Sequence, residues 1–102
     1  MGEPSLTRRV TVVNTQGLHA RPADLFVRVA NRFAARIEVA NGRECVDGKS
    51  ILGILTLAAE QGTQLVLGAT GHDAHDALDA LARLIEQGFV TDEAEHATEG
   101  TG

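Results

Sequence analysis

Within seven residues, Gly17-Leu18-His19-Ala20-Arg21-Pro22-Ala23, the chain places an imidazole, a guanidinium and the signal for a helix start. Each part has its own chemistry. A histidine with an unperturbed pKa of about 6.5 is a nucleophile near neutral pH. A helix start offers unpaired N–H groups and roughly half a positive charge, which suits an anion. Arg21 adds a permanent cation whose forked donors match phosphate oxygens. Cationic neighbours also keep the imidazole from being strongly cationic itself. The combination reads as a site that accepts a phosphoryl group and steadies the resulting dianion. The plainer alternative is a loop or capping histidine beside a solvated arginine. Gly17, Pro22 and a strand–turn–helix context weigh toward the anion site. No metal is expected here, because no second His, Asp or Cys stands at ligand spacing and a flanking arginine repels a cation.

The elements that position these residues are legible. Val10-Thr11-Val12-Val13-Asn14, with Leu6 and Thr7, reads as a first strand, followed by turn chemistry in Asn14-Thr15-Gln16-Gly17. From Ala20 to Phe33 the period becomes helical: Phe26, Val29, Ala30 and Phe33 form one apolar face, and Pro22 suits the first turn. Ala35 to Val39 alternates as a strand, Asn41-Gly42 predicts a hairpin, and Glu44-Cys45-Val46 is the returning strand. Cys45 is read as a small core residue. Ser50 is placed to cap a short helix over 51–57. Thr63 to Gly68 is a fourth strand. Asp73, with Asp76 three residues on, is read as the N-cap of a last helix that Gly88 ends. The order β-α-β-β-α-β-α predicts an α+β domain, an antiparallel sheet of four strands covered on one face by three helices. Residues 1–5 are an N-terminal extension, 6–89 the domain, and 90–102 an acidic tail expected to be disordered.

At 102 residues the chain fits one domain able to fold without metal or disulfides. A single cysteine, Cys45, points to a reducing compartment. No apolar run approaches the roughly 20 residues of a membrane span, and the N-terminus lacks a signal-peptide pattern, so a cytoplasmic protein is expected. The net charge of −5 is unevenly spread. Residues 1–50 carry eight basic and five acidic side chains, net +3; residues 51–102 carry Arg83 against nine acids, net −8. Nucleic acid is a poor partner for such a chain. Arg21, Arg28 and Arg32 nevertheless point within about 20° of one direction on the first helix, opposite its apolar face. That stripe is either an ordinary solvated face or a docking surface. In the short helix, Ile54 and Leu57 suit the core, which leaves Ile51, Leu52 and Leu55 as an apolar patch. His72 and His75, like His96, read as surface residues.

The segment Gly17 to Ala23 resembles the active-site signature of HPr, the histidine-containing phosphocarrier of the bacterial phosphotransferase system. Asp47-Gly48-Lys49-Ser50-Ile51-Leu52-Gly53-Ile54-Leu55-Thr56-Leu57 is similar to the family's regulatory-serine segment, and the likeness runs over about residues 6–89. The resemblance implies the family's open-faced β-sandwich. It implies that His19 takes a phosphoryl group on Nδ1 from phospho-enzyme I and passes it to enzyme IIA domains, with Arg21 steadying it and no cofactor required. It offers Ser50 as a target of HPr kinase, against the plainer reading of a cap alone, since many bacteria keep the serine without the kinase. It also implies that Arg28, Arg32, Ile51, Leu52 and Leu55 meet partners, against a core role for the three apolar residues, the carrier acting as a monomer. A regulatory HPr-like module, signalling through His19 or Ser50 to a kinase or transcriptional regulator, is the alternative; an independent enzyme finds no support, since no P-loop or carboxylate dyad is present. Asp24 and Asn31 depart from the family pattern, Asp24 by setting an acid one turn into the first helix.

Overall fold

In the computed structural model, which describes residues 5–90, the strand alternation becomes a sheet with one dry and one wet face. The elements in chain order are β1 (Ser5–Thr11), α1 (Ala20–Ala30), β2 (Arg36–Ala40), β3 (Cys45–Asp47), α2 (Ile51–Thr56), β4 (Gln64–Thr70) and α3 (Ala74–Glu86). The four strands lie in the order β1-β4-β2-β3, and every neighbouring pair is antiparallel. Val10 stands opposite Leu65, and Val39 opposite Leu67, so the buried positions of three strands share one face. The three helices cover that face, with Phe26 of α1, Ile54 of α2 and Leu81 and Ile85 of α3 fully buried. Burying a side chain the size of Phe26 contributes about 2–3 kcal/mol. The molecule is thus an open-faced α+β sandwich, as the element order predicts. Residues 1–4, and the expected tail from residue 91 on with His96, lie outside the described residues. Among the described residues no helix is long and apolar enough to cross a membrane.

Three local expectations are corrected. Cys45 is exposed, because the register pairs it with Ala40 on the open face, while Val46 takes the half-buried inward position. The first helix ends at Ala30, and not Phe33: Arg32 and Phe33 donate to Val29 and Ala30, three residues back, as the chain tightens into a turn. Phe33 still packs against the core, which is why its spacing looked helical. Asp73 occupies the N-cap position of α3 but makes no side-chain cap bond. Its two carboxylate oxygens instead accept the N–H groups of Ala34 and Ala35, both at 2.8 Å. That clamp ties the start of α3 to the start of β2.

The Ala34 bond holds the Asp73 carboxyl below the ordinary aspartate value of 3.8. A group depressed in the folded state stabilises the fold above its unfolded pKa, and that contribution is lost as pH falls through the folded value. In acid titration followed by circular dichroism, wild type should therefore lose more stability below about pH 4 than Asp73→Ala does. At neutral pH the variant should be the less stable protein.

Candidate functional site

His19 is presented by a loop whose geometry is fixed from both sides. Past β1, Val12 bonds to Thr63, and the chain turns at Asn14, whose carbonyl accepts the Gly17 N–H at 3.1 Å. The Asn14 amide also donates to the Gly17 carbonyl at 2.8 Å, closing the turn a second time. Gly17 has φ +67°, and an added Cβ would stand 2.3 Å from the Ala59 carbonyl oxygen. The next residue, Leu18, is buried and donates to that same carbonyl at 2.9 Å. Only then does the chain turn outward. His19 is the N-cap of α1, in extended conformation, and its carbonyl accepts the Ala23 N–H at 3.0 Å.

The imidazole makes no capping bond and is exposed, so its nitrogens are open to a reactant. Pro22 has no N–H to leave unpaired. The N–H groups of Ala20 and Arg21 find no backbone acceptor among the described residues. They are the free donors of a helix start, and an anion on His19 would meet them. Arg21 and His19 line one open hollow of about 300 Å³ with Asn14, Pro22 and Leu25. Such a site can hold a phosphoryl dianion between backbone donors, a guanidinium and the imidazole that carries it.

Two parts of this site were not read from the sequence. The far wall is Gly88 and Phe89, from the end of α3. Gly88 does end that helix: its N–H donates to Ile85 while that of Phe89 reaches back to Leu84 at 2.9 Å, the pattern that closes a helix at a left-handed residue. The sequence marks Asn14 as turn chemistry, and an Asn that opens a turn is the signal for its brace.

The remaining expected residues lie outside the lining of the hollow, on α1, in the turn that follows it and on α2 with its cap. Arg21 and Arg28 are exposed on α1, and Arg32 is exposed in the turn that follows it. Arg28 is paired with Asp24, Nε to Oδ2 at 2.9 Å. Helix α2 packs beside α1. On it Ile54 is buried, Leu52 is 73% exposed, Ile51 is at the exposed margin and Leu55 is half-buried against the core. Ser50 caps α2, its Oγ accepting the Gly53 N–H at 3.0 Å. Lys49 donates its Nζ to the Phe33 carbonyl at 2.7 Å, which pins the Ser50 turn to the end of the α1 segment.

The family model for the phosphorylation site of the phosphotransferase-system HPr component matches residues 6–87. The phosphocarrier protein HPr of Pseudomonas aeruginosa is 46% identical over 87 residues, covering 84% of this chain and 94% of that protein. Among solved structures, HPr from Thermoanaerobacter tengcongensis superposes with a TM-score of 0.79 at 42% identity, covering 82% of this chain and 94% of the other. Crh, a Bacillus subtilis catabolite repression protein described as a domain-swapping dimer, gives 0.67 at 38% identity, covering 82% and 97%. With the fold, the match across residues 6–87 and relatives of this identity in agreement, the chain belongs to the HPr family of phosphocarrier proteins of the phosphotransferase system.

Proposed function

We propose that this chain carries a phosphoryl group on His19, taken from phospho-enzyme I and given to enzyme IIA domains. The observation that supports it most is the uncommitted imidazole at the start of α1, sharing a hollow with Arg21. With the ring proton on Nε2, the Nδ1 lone pair attacks phosphorus. The new P–N bond forms as the donor's P–N bond breaks, and the donor imidazole keeps the electron pair. Delivery to a histidine of an IIA domain runs the same exchange in the other direction. The helix-start N–H groups and Arg21 offset the charge of the dianion throughout. The exchange needs no cofactor, and the carrier is proposed to act in the cytoplasm as a monomer. Arg28, Arg32, Ile51, Leu52 and Leu55 supply the docking surface, the arginines chiefly by raising encounter rates.

Incubation with enzyme I and phosphoenolpyruvate tests the reading. The protein should gain acid-labile, base-stable phosphate, and His19→Ala should gain none. Absence of label on the wild type would sink the carrier reading.

Ser50 is proposed as a regulatory site. Phosphate there would add charge at a helix start, which the fold tolerates, but directly beside the exposed Ile51 and Leu52. Ser50→Asp should therefore keep its circular dichroism spectrum and melting behaviour while binding enzyme I several-fold more weakly. Equal affinity would remove the proposal. The likeness to Crh favours a second reading, a module that signals to a regulator through His19 or Ser50. A phosphorylated protein that binds a regulator yet donates to no IIA domain would select it.

A further inference from the structure

The docking surface contains an acid, and its position is determinate. On α1, Asp24 lies about 60° to one side of Arg21, while Leu25 lies about 40° to the other. Leu25 faces the hollow walled by the end of α3. Asp24 is therefore on the opposite flank of the arginine stripe, away from α3, and α2 is the other helix that α1 packs against. It is also in use. Its Oδ2 holds the Arg28 Nε at 2.9 Å, in the favourable order of acid before base at four-residue spacing. Both side chains remain open to water, 45% and 61% exposed, so a partner can reach either.

We infer that Asp24 sets partner affinity by holding Arg28, so that a partner's carboxylate must displace Asp24 before it can take the guanidinium. The inference rests on the carrier reading and deepens it. Once displaced, Asp24 stands as an uncompensated anion against an acidic partner face, and like charges across an interface are unfavourable. Asp24 thus acts as a positioning residue that works through Arg28, with no contact to the transferred group. It discriminates against partners whose docking face is uniformly acidic.

The test is the rate of phosphoryl transfer from phospho-enzyme I to the full chain, with kcat and KM separated. At low ionic strength Asp24→Asn should lower KM about two- to fivefold, since an exposed pair shifts an equilibrium about twofold and removal of the repelling charge adds to it. The kcat should not change, and the gain should vanish near 0.5 M salt, where exposed charges are screened within about 5 Å. Asp24→Glu should behave as wild type. In an Arg28→Gln background, Asp24→Asn should lose the part of its effect that comes from releasing Arg28 and keep only the part due to the removed charge, because coupling between the two is the substance of the claim. A full Asp24→Asn gain that persists without Arg28 would overturn it, as would a raised KM, which would place a partner cation against Asp24. An unchanged KM in Asp24→Asn, beside a wild type that labels normally, would remove this inference alone. Failure of the wild type to label would remove it together with the carrier reading.

Discussion

Arg21→Gln should slow single-turnover transfer from phospho-enzyme I by about tenfold to a hundredfold. Removing one preorganised donor from a developing anion typically costs about 10²–10³ in rate, and exposure of Arg21 to water places it at or below the low end. The loss should appear in kcat, because Arg21 shares the hollow with His19 itself. Arg28, a turn and more further along α1, should affect KM instead. Arg21→Lys should recover part of the rate, since it restores the charge but not the fork that grips two oxygens at once. A rate equal to wild type in the glutamine variant, measured by rapid quench, would show that the helix-start N–H groups suffice alone.

Gly17→Ala should have the largest effect on stability. The position needs φ +67°, which costs a residue with Cβ about 1–2 kcal/mol. The added Cβ would also stand 2.3 Å from the Ala59 oxygen and 2.9 Å from Glu60 Cα, both backbone atoms that cannot swing aside. Overpacking of this kind adds about 1–3 kcal/mol. The sum, about 2–5 kcal/mol, corresponds to a fall in Tm of about 10–30 °C for a domain of this size. Gly42→Ala is the control, because Gly42 has a positive φ but nothing within 4 Å of the added Cβ. Thermal melts should show a small loss for Gly42→Ala and a large one for Gly17→Ala; equal losses would mean that the contact with Ala59 is not limiting. Since Leu18 bonds to the same carbonyl, a folded Gly17→Ala should also present His19 poorly and transfer slowly.

Much of the site was legible because it is local. His19, Arg21 and Pro22 lie within one turn of the same helix start, so the sequence spacing is already the spatial arrangement. Ser50 was legible as a cap for the same reason. What escaped was set by groups distant in the chain. Asp73 has the residue type and place of an N-cap, yet two N–H groups 38 and 39 residues away claim its carboxylate. Cys45 sits in a strand of three residues, too short for alternation to declare which face is buried, and only pairing with Ala40 decides it. The walls of the hollow at Gly88 and Phe89 depend on how α3 ends against the His19 loop, which no local pattern records. The pairing of Asp24 with Arg28 follows four-residue spacing on one helix, a local signal that the arginine stripe on the same face obscures.

The uneven charge follows the same division. The positive half of the chain contains α1, with Arg21 at the hollow and Arg28 along the proposed docking face, while much of the negative charge lies on α3 and beyond. Asp24 is the exception placed within the positive face.

His19 Nδ1 is the atom proposed to carry the phosphoryl group. Phosphorus NMR of the protein, nitrogen-labelled at histidine and incubated with enzyme I and phosphoenolpyruvate, tests it most directly. The spectrum should show one phosphoryl group, coupled to Nδ1 of His19 and absent from His72, His75 and His96. Phosphate on Nε2, on another histidine, or on Ser50 alone would contradict it.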